Sequence, residues 1–174
     1  MFWLKFVSDF FKVLRAGQTP AQIAGGFALG SMTGLVPTLT LQTLVIWLVV
    51  FILNVNLSAA FFAFTLFSMI SYLLDPIFHW LGYQLLVEVA GLKGLWTTLY
   101  NAPIAPLTRF NNTVVLGSFV CSLVFFAPMF FGMKKFVVAY RTHVHSAMES
   151  WRLYQIISKS ALVRWYFKIR DLGG

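Results

Sequence analysis

An all-α integral membrane fold is predicted by three observations. Mean hydropathy is +0.80, with 59% of residues hydrophobic and 10% charged, outside the range of soluble domains. Apolar runs of helical length alternate with short polar turns along most of the 174 residues. Basic amphipathic segments stand at both ends. The expected architecture is an interfacial amphipathic helix over residues 1–16, then a membrane domain over 17–132 with about four crossings by short, Gly/Pro-broken transmembrane or re-entrant helices. A basic amphipathic region over 133–174 completes it. This length leaves little room for a separate soluble domain.

Residues 2–15 place Lys5, Ser8, Asp9, Lys12 and Arg15 on one helical face and Phe2, Trp3, Phe6, Phe10 and Phe11 elsewhere, the pattern of a helix lying along a membrane surface. Asp9 and Lys12 interrupt what would be the apolar core of a cleaved signal peptide, so that reading is set aside. Thr19 and Pro20 suit the cap and first position of the next helix. That helix, over 20–36, is roughly 25 Å long at 1.5 Å per residue, short of the hydrocarbon core. A second run over 39–53 is similarly short.

Between them lies the most informative segment. Gly26, Gly30 and Gly34 recur every four residues and stack on one face, where another backbone, a lipid chain or a ligand can approach closely. Pro37 ends the ladder and frees carbonyls in the preceding turn, for which Thr38, Thr40, Gln42 and Thr43 are candidate partners.

Asn54, Val55 and Asn56 then turn the chain into an apolar span over 57–74, ended by Asp75 and Pro76. A shorter helical pattern over 77–90 carries His79 and Glu88. Residues 91–112, with Gly91, Gly94, Pro103, Pro106, Asn111 and Asn112, read as a loop or interfacial hairpin. The strongest single span is 113–131, closed by Gly132, Lys134 and Lys135. Beyond it, Arg141, His145, Glu149, Arg152, Gln155 and Lys159 form a polar stripe opposite Trp151, Tyr154 and Ile157.

Of the 13 basic residues, Lys93 and Arg109 alone lie between residues 16 and 131, which places both termini in the cytoplasm. Crossings at 20–36, 39–53, 57–74 and 113–131 satisfy this, with 76–112 on the outer face. In the alternative, residues 20–53 form a re-entrant hairpin that never crosses, with a further crossing among residues 76–112.

The residues with candidate chemistry are few. The ladder is either a close helix contact or a groove for a lipid chain or a partner's helix; Pro37 with Thr38, Thr40 and Gln42 is either a repaired helix break or a polar site within the membrane. Asp75 and His79 are either a helix cap with its neighbour or a protonatable pair on a transport path. Lys5, Lys12, Arg15, Lys134, Lys135, Arg141, Arg152 and Lys159 are candidate lipid-headgroup ligands; the net charge of +8 belongs to membrane-flanking segments, so anionic lipid and not nucleic acid is the expected partner. The single Cys121 packs in an apolar run, and His143 and His145 fall on different helical faces, so no disulfide and no metal is expected. No nucleophile–base set, phosphate loop or paired carboxylates appear, and neither enzymatic activity nor a cofactor is expected.

The core GFALGSMTGLVPTLTLQTL and its continuation NVNLSAA resemble the bacterial membrane proteins grouped as domain of unknown function 2062, over residues 15–90 and chiefly through the Gly ladder, Pro37, Gln42 and Asn56. The resemblance implies a bacterial inner-membrane location and supplies no catalytic residues. The amphipathic ends are similar to those of a subgroup, and this implies a larger, periplasm-spanning AsmA-like partner that carries phospholipid. The expectation is therefore a subunit that anchors that partner and assists lipid entry. The competing expectation is a small proton-coupled secondary transporter acting as an oligomer, with Asp75, His79 and the Pro37 break lining its path.

Overall fold

The computed structural model describes residues 18–37 and 40–158, with side chains described through residue 143. The predicted interfacial helix over 1–16 lies outside the described residues. Those described form helices and turns, with no strand among them. The chain divides into two units, residues 1–137 and 138–174.

In the first unit, α1 spans Pro20–Leu35. It opens on a reciprocal cap: the Gln22 amide donates to Thr19 Oγ1 at 3.2 Å, and the Thr19 amide donates to Gln22 Oε1 at 2.8 Å. Residues 23–35 of this helix are buried except Phe27, so its apolar surface runs nearly all round, as expected of a central helix. The Ser31 and Thr33 hydroxyls donate back to the Ala28 and Gly30 carbonyls at 2.7 and 2.9 Å, which lets two polar side chains sit in this core.

Helix α2 spans Leu41–Ile52 and α3 spans Leu57–Tyr83. One face of α2 joins the core, where Ile46 and Val50 meet Leu29, Met32 and Ala60. Trp47 packs its ring against Phe61, with centroids 4.8 Å apart. A π-helical turn over Gln84–Glu88 extends α3, and a short 3₁₀ turn over Ala90–Leu92 leads to α4, Lys93–Tyr100. A second 3₁₀ turn, Ala105–Thr108, precedes α5, Thr113–Ser158. Asn112 caps α5 by accepting from the Val114 and Val115 amides at 2.9 and 3.2 Å.

Two sequence expectations are corrected here. Asp75 and Pro76 do not end a helix: α3 runs through both, so Asp75 is no cap. Proline forfeits one amide bond to the carbonyl four residues back, and a long apolar helix on both sides absorbs that loss. Gly132, Lys134 and Lys135 do not close a helix either, because α5 continues through them and through Pro128. The lysines end the apolar run without ending the helix, being good helix formers. The segment 91–112, read as a loop or interfacial hairpin, contains the eight-residue α4.

Leu57–Glu88 and Thr113–His143 are long and apolar enough to cross a membrane. At 1.5 Å per residue, the 16 residues of α1 reach about 24 Å and the 12 of α2 about 18 Å, both under the ~30 Å of a hydrocarbon core. Two long helices already make an even number. A non-crossing hairpin at 20–53 therefore needs no compensating span among residues 76–112. The second unit is described as helix to Ser158, where the Thr142 hydroxyl donates to the Val138 carbonyl at 3.0 Å.

Asn56 joins the start of α3 to the start of α1. It is buried; its Oδ1 accepts from the Ala59 amide at 2.7 Å, its own amide donates to the Gln22 carbonyl at 3.0 Å, and its Nδ2 donates to Gln18 Oε1. Asn56→Leu, which loses both the cap and the Gln18 bond, is expected to cost about 2 kcal/mol or more, and Asn56→Ser, which keeps a cap, about half of that. Thermal unfolding in detergent should rank the three proteins in that order; equal midpoints for Leu and Ser would show that the cap contributes nothing.

Candidate functional site

The glycine ladder faces α3. A Cβ built on Gly26 would lie 2.2 Å from the Asn56 carbonyl oxygen, on Gly30 2.1 Å from that of Ala60, and on Gly34 2.7 Å from that of Phe64. The contacts advance together by four residues, so α1 and the first half of α3 run side by side in parallel, backbone against backbone. Ala59, Ala60 and Ala63 contribute the small partner surface and are fully buried. The face formed by Gly26, Gly30 and Gly34 is therefore filled from within the chain. A lipid chain or a partner's helix would have to displace α3 to reach it.

At the elbow, Pro37 is exposed and the hydroxyls close on one another. The Thr43 amide donates to Thr40 Oγ1 at 3.4 Å, Thr40 Oγ1 and Thr43 Oγ1 are 2.8 Å apart, and the Thr43 hydroxyl donates to the Pro37 carbonyl at 3.4 Å. One assignment uses each proton once: the Thr40 hydroxyl donates to Thr43 Oγ1, whose own proton goes to Pro37. Both threonines are thus committed to capping α2 and to tying its first turn to the Pro37 carbonyl. Gln42 is different: its Oε1 is buried and accepts no hydrogen bond among the described residues. Thr38 lies outside them.

The outer face of α2 is open. Beside the elbow lies an apolar groove of about 750 Å³, lined by Thr40, Leu41, Thr43, Leu44, Trp47, Leu48 and Phe51, with Phe64 of α3 and Leu107 of the second 3₁₀ turn. Leu44, Leu48 and Phe51 are 64, 54 and 62% exposed, at the spacing of one helical stripe. Hydrocarbon, not a charged substrate, suits such walls.

Asp75 and His79 share α3 one turn apart without forming an ion pair. His79 Nδ1 instead lies 2.7 Å from Thr113 Oγ1, and its ring tilts against Tyr83 at 6.3 Å. This bond ties α3 to the start of α5. Close by, a Cβ on Gly82 would lie 1.9 Å from the Thr113 carbonyl oxygen and one on Gly117 1.9 Å from that of Phe78. Of the candidate headgroup ligands, Lys134 and Lys135 are exposed and Arg141 half-buried on α5. Lys5, Lys12, Arg15 and Lys159 lie outside the described residues, and Arg152 is described only as backbone within α5.

Two features escape the sequence reading. The segment 84–112 is organised around Trp96, whose Nε1 donates to the Leu85 carbonyl at 2.9 Å and whose ring stacks on Phe110 at 5.8 Å. Arg109, which no motif singles out, adopts the left-handed conformation at φ 54°, ψ 31°.

A profile described as "Uncharacterized protein conserved in bacteria (DUF2062)" matches residues 5–146, and the chain belongs to that family. An uncharacterised protein of Treponema pallidum (strain Nichols) is 24% identical over 161 residues, covering 92% of this chain and 99% of that relative. No solved structure matches the chain.

Proposed function

We propose that this member of the DUF2062 family is a non-enzymatic inner-membrane subunit that anchors a larger periplasm-spanning protein of the AsmA-like kind and assists phospholipid entry into an envelope transport path. The observation that carries this reading is the open apolar groove of about 750 Å³ beside the Pro37 elbow. A chain with two long apolar helices keeps a third, short helix half-uncovered, and an uncovered apolar groove in a bilayer accepts acyl chains.

In this arrangement α3 and α5 cross the inner membrane, and α1 with α2 forms a re-entrant hairpin. Its support is length: neither short helix spans a hydrocarbon core, whereas α1, packed all along the first half of α3, needs no lipid face of its own. Both termini lie in the cytoplasm, where Lys134, Lys135 and Arg141 meet anionic headgroups. The transporter reading draws less from the geometry, because His79 is engaged with Thr113 and not with Asp75.

The test is native purification from bacterial membranes in a mild detergent, followed by mass spectrometry of the intact assembly. The expected result is bound phospholipid together with a larger envelope protein. Recovery of the chain with neither would overturn the proposal.

A further inference from the structure

We infer that Arg109 is the phosphate ligand of a single phospholipid whose acyl chain lies in the α2 groove; this deepens the lipid-entry reading and rests on it. Three observations meet at this place. Leu107 forms part of the groove wall, and Arg109 follows two residues later, within about 7 Å along even a fully extended chain. Arg109 is exposed, and its guanidinium makes no ion pair or hydrogen bond among the described residues. Its backbone occupies the left-handed region, which glycine or asparagine fills more readily than a long side chain.

The strained turn is held firmly. The Arg109 amide donates to the Pro106 carbonyl at 2.9 Å, and its own carbonyl accepts from the Asn112 amide at 2.9 Å. The neighbouring Phe110 is buried beneath Trp96. A cation kept in an unfavourable conformation beside an apolar groove points to a ligand that needs both, and charge complementarity names the ligand as a lipid bearing a phosphate. The groove supplies the complementary half: Leu44, Leu48 and Phe51 offer hydrocarbon, and the elbow hydroxyls are already satisfied by each other. Guanidinium is suited to the remaining task because its fork engages two phosphate oxygens at once.

The test uses the full chain in vesicles of phosphatidylethanolamine and phosphatidylglycerol, doped with a phosphatidylglycerol that carries a photoactivatable group on one acyl chain. Crosslinks should concentrate on Leu44, Leu48, Phe51 and Leu107 over the exposed apolar residues Leu123, Val124 and Phe125 of α5. Arg109→Gly relieves the backbone and so retains the fold, while lowering the α2 crosslinks about tenfold, the scale of one charge-assisted hydrogen bond. Arg109→Lys should recover most of that loss. A photoactivatable diacylglycerol, which has tails and no phosphate, should label α2 equally in the parent and in Arg109→Gly.

Unchanged α2 labelling by phosphatidylglycerol in Arg109→Gly overturns the phosphate assignment. Labelling spread evenly over α2, α3 and α5 overturns the groove assignment. In either case, phospholipid still retained by the natively purified assembly leaves the lipid-entry reading standing, whereas purification free of phospholipid removes both.

Discussion

Gly30→Ala is expected to destabilise the fold severely, at a cost of about 3 kcal/mol or more against a total stability of ~5–15 kcal/mol. The added methyl would sit 2.1 Å from the Ala60 carbonyl oxygen, a backbone atom of a packed helix that cannot swing aside. Gly26→Ala, at 2.2 Å from the Asn56 carbonyl oxygen, should be comparably severe, and Gly34→Ala, at 2.7 Å from that of Phe64, milder. Gly25 meets side chains and not backbone, Val55 Cγ1 at 3.1 Å and Phe130 Cε2 at 4.0 Å, so alanine there should cost less than at Gly26 or Gly30. Gly132 has nothing within 4 Å, and since alanine is the better helix former its replacement should stabilise by about 1 kcal/mol.

The ranking is read from folded yield by gel filtration and from thermal midpoints in detergent. Alanine separates two accounts of the ladder that a bulky residue would confuse. An open groove accepts one methyl at all three positions with little effect on folding, whereas a backbone contact rejects it in the order of the distances. Gly30→Ala behaving like Gly132→Ala would show that α1 and α3 are not held in this register.

How much of this was legible in the sequence depends on which signal carried it. The Thr19 cap, the turn at Asn54–Asn56 and the end of the first helix before Pro37 are local patterns, and the helix bounds Pro20–Leu35 and Leu57–Tyr83 agree with them. The partner of the ladder was not legible, because the opposed residues Asn56, Ala60 and Phe64 do not repeat a small residue every four positions, although Ala59, Ala60 and Ala63 lie among them; what α1 approaches is backbone. The breaks at Pro76 and Gly132 were overread, since a breaker weighed by propensity alone ignores the apolar helix on either side of it. The groove left no trace. α2 reads LQTLVIWLVVFI, so apolar side chains fall on every face and no periodicity separates buried Ile46 and Val50 from exposed Leu44, Leu48 and Phe51. Arg109 was invisible for the opposite reason: a left-handed turn is ordinarily announced by glycine or asparagine, and here neither stands at the position.

The crossing of α3 and α5 gives the second large expected effect, and it rests on two glycines that stand 35 positions apart in sequence. Each is opposed by the other helix's backbone: Gly82 by the Thr113 carbonyl oxygen at 1.9 Å, and Gly117 by the Phe78 carbonyl oxygen at 1.9 Å and the Gly82 nitrogen at 3.0 Å, measured from the Cβ that each lacks. Gly82→Ala or Gly117→Ala forces the helices apart, exposing the buried Phe78 and breaking the 2.7 Å contact of His79 with Thr113. Each is expected to cost about 3 kcal/mol or more. Thr113→Ala removes only the histidine contact and leaves the backbones in place, so it should cost about 1 kcal/mol. The double glycine variant should cost clearly less than the two single effects added, because helices already separated by the first methyl have room for the second. Full additivity in thermal unfolding would mean that the two glycines act at independent contacts, contrary to the reciprocal geometry. The same measurement decides what Thr113 and His79 do for the fold: if Thr113→Ala is as damaging as Gly117→Ala, the polar contact and not the glycine approach holds the two long helices together.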